Sequence, residues 1–140
     1  MATINPYLNF WGNTEEAFNF YKSVFGGEFA MLQRFKDSPE SDKVPANEKD
    51  MIMHIALPIG KANVLMATDA LESMGHKLTM GDNISLSVSA DSKEEADQLF
   101  NGLSAEGIIQ MPLQDMFWGS YFGMCKDKFG IQWMMSFDKK

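Results

Sequence analysis

Two stretches of the chain carry apolar residues at helical spacing. In TEEAFNFYKSVF, residues 14–25, Ala17, Phe18, Phe20, Tyr21, Val24 and Phe25 recur behind a threonine and two glutamates, and Gly26-Gly27 follows. A cap residue, an acidic first turn and a closing glycine pair are boundary signals of an amphipathic helix. SKEEADQLFNGLSA, residues 92–105, repeats the arrangement with Ala96, Leu99, Phe100 and Leu103 ahead of Gly107; both helices contain Glu-Glu-Ala, at 15–17 and 94–96. Strand-like segments at 4–10 and 84–90 precede the helices, and further β-like runs at 28–35 and 107–111 follow them. Segments 51–57 and 63–68 read as two more strands joined by Pro58-Ile59-Gly60-Lys61. Residues 118–137, WGSYFGMCKDKFGIQWMMSF, read as an aromatic hairpin around a Lys-Asp-Lys-Phe-Gly turn. The order strand, helix, strand, strand, strand is therefore used twice, which predicts an α+β protein of two similar modules, about 1–70 and 82–140, sharing one domain.

Alternation within the strands predicts their faces. Ile84, Leu86 and Val88 alternate with Ser85, Ser87 and Ser89, and Ile4, Leu8 and Phe10 interleave with Asn5, Tyr7 and Asn9. One side of each strand meets a helix; the polar side faces either solvent or a shared concavity. Two connections are long and hydrophilic. Residues 69–83 join the modules, and residues 36–50 form either a flexible lid or, the favoured expectation, an unstructured insertion.

Charge and composition narrow the function classes. A formal charge of −7 and a pI near 4.7 oppose a surface that tracks phosphates, so no nucleic-acid partner is expected. The start, MATINPYLNF, lacks a basic region and a long apolar stretch, and nowhere do about 18 apolar residues run together. No membrane association and a cytoplasmic location are the expectation. The single cysteine, Cys125, cannot form an internal disulfide, and among Phe122, Met124 and Phe129 it reads as a buried structural thiol.

Few residues offer chemistry. His54 is the one titratable side chain expected inside, with Ile52 and Ala56 on its face; it can donate to a ligand or serve as a general base, or be a core histidine bonded to a carbonyl or to Asp69. His76 falls in a loop and should be solvated. Trp118 and Tyr121 open the hairpin and are candidates for stacking on a ligand, whereas Trp133, alternating with Ile131 and Met135, should pack under a helix. Twelve methionines, Met66, Met116 and Met134 among them, would give a concavity a compliant apolar lining.

The segments NPYLNF, FYKSVFGGE, MHIAL, LMATDA and the WGSYFG–GIQWMM hairpin together resemble PhnB-like proteins, a branch of the vicinal oxygen chelate superfamily that includes glyoxalase I, extradiol dioxygenases and bleomycin-resistance proteins. The resemblance covers essentially the whole chain. It implies two βαβββ modules forming a half-open barrel around one site, commonly in a homodimer, and it favours the concavity over solvent for the polar strand faces. It also implies four metal-ligand positions, which fall on Asn5, Met66, Asn83 and Met134. Amides and thioethers are poor ligands for a hard divalent ion, so no metal and no cofactor are expected. The resemblance thus implies a small-molecule-binding protein, with Asn5, Tyr7, Asn9, His54, Met66, Ser85, Ser87, Trp118, Tyr121 and Met134 as ligand contacts. The alternative is a glyoxalase- or dioxygenase-type enzyme with a displaced metal site or His54 as its base. A demethylubiquinone methyltransferase label accompanies such proteins by similarity, yet no Gly-rich strand-to-helix turn for a nucleoside cofactor is present. A phosphonate site lacks support as well, because Arg34 is the only arginine.

Overall fold

The computed structural model describes residues 2–138, which divide into two compact units, 2–79 and 80–138. The first contains β1 (Tyr7–Phe10), α1 (Thr14–Phe25), β2 (Met31–Arg34), β3 (Ile52–Ile59) and β4 (Asn63–Asp69). The second contains β5 (Leu86–Ser89), α2 (Lys93–Ser104), β6 (Ile108–Asp115), β7 (Ser120–Lys126) and β8 (Gln132–Asp138). Each unit is an open four-stranded sheet, ordered β1-β4-β3-β2 in one and β5-β8-β7-β6 in the other. The first and last strands of each unit run parallel side by side, and every other pairing is antiparallel.

Each helix covers one face of its own sheet. Ala17, Phe18 and Tyr21 of α1 are fully buried with Ile55, Leu57, Leu65 and Ala67, and the Phe10 ring meets Phe18 edge-on at 6.5 Å. Ala96, Phe100 and Leu103 of α2 lie over Cys125, Trp133 and Met135. Burying an aromatic side chain of this kind contributes about 2–3 kcal/mol, which helps a short sheet hold against its conformational entropy.

The two helices begin differently. Ser92 caps α2 directly, its hydroxyl accepting from the Glu95 amide at 3.0 Å. At α1 neither Asn13 nor Thr14 caps the first turn; a buried carboxylate from the end of β4 does so. Asp69 Oδ1 accepts from the Gly12 amide (3.1 Å), the Thr14 amide (3.0 Å) and the Thr14 hydroxyl (2.6 Å), while Oδ2 accepts from the Ile52 amide (2.8 Å). Negative charge is favourable at a helix N-terminus, and four donors saturate the carboxylate.

Four expectations change. Strand β1 starts at Tyr7 rather than at residue 4, leaving Ile4 92% exposed, and β6 runs on to Asp115. Residues 36–50 are not an unstructured insertion: they form single 3-10 turns at Phe35–Asp37, Ser41–Lys43 and Ala46–Glu48. The segment is tied down by the buried Glu48, which accepts from the amide and the hydroxyl of Ser73. Finally, Ile52 does not share a face with His54. Gln33 pairs with His54 and Arg34 with Ile52, so the bulge at Met53 turns Ile52 to the α1 side, where Arg34 grips Glu15 through two bonds of 2.9 and 2.7 Å.

Candidate functional site

The faces turned away from the helices carry the polar candidates. In the first unit Tyr7, Met66, Ala56 and Met31 stand in one cross-strand row, followed by Asn9 beside Thr68 and by His54 beside Gln33. This open face places Tyr7 and His54 together: the phenol oxygen lies 3.1 Å from His54 Nδ1, with ring centroids 5.7 Å apart. Burial raises the Tyr7 hydroxyl above its ordinary pKa, so it stays protonated. His54 is half-buried, and Asp69 is fully occupied elsewhere, so the proposed His54–Asp69 bond is replaced by the one to Tyr7. Asn5 lies just before β1; its carboxamide oxygen accepts from the Val64 amide at 3.0 Å and so extends the pairing of β1 with β4.

In the second unit one row of the open face runs Ser87, Met134, Met124 and Met111, and the next holds Ser89, Ser136, Phe122 and Gln114. Ser85 and Asn83 precede β5, in the connection that leads into it. Trp118 sits in the turn between β6 and β7, 55% exposed, its ring 6.2 Å from Phe122 of the open face. Tyr121 does not join that face. It pairs with Phe137 on the α2 side, where its hydroxyl donates to Asp97 at 2.5 Å and the Lys93 ammonium lies 4.6 Å over its ring. The neighbouring carboxylate pushes the phenol up to about 12.

Trp133 packs on the helix side, its indole N–H bonded to Asp127 at 2.8 Å, and Cys125 beside it is fully buried. Desolvation raises the Cys125 thiol to about 11, with Asp127 adding to the effect. His76 is exposed, yet its Nδ1 also accepts the Leu71 amide at 2.8 Å. Met111, Phe122, Met124 and Thr68 belong to the open faces and escaped the sequence reading. Their only signal was alternation with Tyr121, Gly123 and Cys125, or with Ala67 and Asp69.

The positions that resemblance assigns to a divalent ion fail on donor chemistry. Asn5 has spent its oxygen on the Val64 amide, Met66 and Met134 offer thioethers, and Asn83 offers a neutral amide. Among the described residues no three His, Cys, Asp or Glu side chains gather as a metal-binding group. The donor set does not fit a zinc, manganese or iron centre.

Comparison with known proteins bears on this arrangement. The model of the family described as 3-demethylubiquinone-9 3-methyltransferase matches residues 2–136. Protein YjdN of Escherichia coli (strain K12) is 30% identical over 145 residues, 98% of this chain and 96% of YjdN. The crystal structure of protein PA1353 from Pseudomonas aeruginosa shares 40% identity with a TM-score of 0.87, all of each chain being covered. A putative 3-demethylubiquinone-9 3-methyltransferase, PhnB protein, from Bacillus cereus shares 28% identity with a TM-score of 0.76, covering 97% of this chain and 99% of its own. At 18% identity, a glyoxalase/bleomycin resistance protein/dioxygenase family enzyme from Burkholderia phytofirmans PsJN shares the fold (TM-score 0.62; 95% and 97% covered).

Proposed function

The chain belongs to the PhnB-like family, with the α+β glyoxalase/bleomycin-resistance fold, and on that premise we propose that it binds a small organic molecule and uses no divalent metal. The observation that carries this reading is the Tyr7–His54 pair beside Met66 on an open sheet face. A phenol donating to Nδ1 fixes the neutral imidazole with its proton on Nε2, and that N–H is then a donor available to a ligand on the open face, with Met66 beside Tyr7 in the neighbouring row. Thr68 and Asn9 add polar contacts along the same face. Donor chemistry at the four family positions supports binding without a metal.

The alternative enzyme reading corresponds to the other tautomer. If Nδ1–H donates to the phenol oxygen, Nε2 is bare and can accept a proton as a general base. Methyl transfer draws no support from the fold, whose mostly antiparallel sheets differ from the doubly wound parallel sheet that holds nucleoside cofactors. The chain is further proposed to form a homodimer, a reading supported by the exposed apolar residues Ile108 and Ile109 on edge strand β6 and testable by light scattering.

A thermal-shift screen of small organic compounds alongside zinc, manganese and nickel salts tests the main reading. Stabilisation of several degrees by organic compounds, lost in His54→Ala and weakened in Tyr7→Phe, is the expected result. Stabilisation by metal alone would overturn it. Nitrogen-15 NMR of His54 separates the two tautomers.

A further inference from the structure

At the β7–β8 turn of the second unit, the open face ends in a solvent-connected cavity of about 500 Å³ that none of the residues discussed so far fills. Its floor is the end of β7 and the turn, with Lys126, Lys128 and Phe129; its wall is the segment Met80-Gly81-Asp82. The wall is built rather than incidental. The Gln132 carboxamide donates to the carbonyls of Asp82 and Ile84, both at 2.9 Å, and pins the segment over the sheet. Gly130 leaves room for the Met80 methyl group: a Cβ there would stand 2.9 Å from Met80 Cε.

Charge sorts cleanly around the turn. Asp127 points inward, its carboxylate accepting from the Phe129 and Ile131 amides and from Trp133 Nε1. Lys126 and Lys128, one residue to either side, therefore face the cavity. Lys128 bonds Glu106 at 3.2 Å and leans 5.6 Å over the Phe129 ring, whereas Lys126 makes no ion pair among the described residues. Asp82 is the only acid of the lining and is exposed; with Lys128 committed to Glu106, Lys126 is the ammonium group of the lining left for an incoming anion, on a chain whose net charge is −7. The volume suits a small organic ligand, and Phe129 with Met80 supplies its apolar contacts.

We propose that this cavity is a binding site for a small aromatic or amphipathic monoanion, its carboxylate held by Lys126 and its flat body lying between Met80 and Phe129. The site stands independently of the Tyr7–His54 reading. Titration of the isotope-labelled protein with 1-naphthoate, followed by the amide signals of Gly81, Phe129 and Gly130, tests it, with neutral 1-naphthamide as the comparison. Saturable shifts at those amides are expected, weakened about tenfold by Lys126→Gln for the anion and unchanged for the amide. Tyr7→Phe and His54→Ala should leave naphthoate binding as it was, so either assignment can fail alone. The proposal is overturned if these amides do not respond at millimolar naphthoate, if the neutral compound binds as well, or if Lys126→Gln has no effect.

Discussion

Single side chains with similar chemistry are used for opposite ends here. Tyr7 and Tyr121 both make one hydrogen bond, but Tyr7 serves the open face and Tyr121 ties β7 to Asp97 of α2. Tyr121→Phe should cost about 1 kcal/mol in a urea melt and leave ligand binding intact, while Tyr7→Phe should do the reverse. A ligand affinity that tracked Tyr121 would contradict the face assignment. Cys125 offers a pH test. Its folded thiol is raised from 9.0 to about 11, so the folded state holds the proton more tightly than the unfolded chain does. The stability this adds is complete below about pH 9 and is lost as pH climbs through 11. Alkylation by iodoacetamide at pH 8 should accordingly be much slower in the folded protein than in urea.

At the scale of elements, the contact between Gly107 and Lys126 sets where β6 begins. A Cβ on Gly107 would lie 2.3 Å from the Lys126 carbonyl oxygen, a backbone atom that cannot rotate away. Gly107→Ala should cost about 2–3 kcal/mol, with amide shifts concentrated along β6 and β7; a silent substitution would mean the strands pair in another register. Elements of this kind were partly legible in the sequence. The helix at 14–25 was, because apolar spacing, acidic start and glycine stop agree, and so was the repeated strand-helix order. Strand ends were less so, since β1 needs a partner in β4 some 59 residues away and Asn5 joins that pairing through its side chain. The face of Tyr121 was hidden for a different reason. Both sides of β7 are apolar, Phe122 and Met124 against Tyr121 and Cys125, so alternation alone does not say which side meets the helix. The Tyr7–His54 pair, whose members are 47 positions apart, leaves no local signal at all.

Over the whole molecule, acidity is the dominant field. With a net charge of −7, like charges repel across the surface, and added salt screens them. The melting temperature should rise between low and moderate sodium chloride; a fall would show that the ion pairs Arg34–Glu15 and Lys36–Asp50 outweigh the repulsion. Among the described residues, no helix is long and apolar enough to cross a membrane. Structure in the first unit is organised around one carboxylate: Asp69 receives amides that begin α1 and β3 from its own position at the end of β4. Those amides, at Gly12, Thr14 and Ile52, have no reason to open one at a time. In deuterated water they should lose their protons as a single kinetic class, with a shared opening rate that reports the first unit coming apart as a whole.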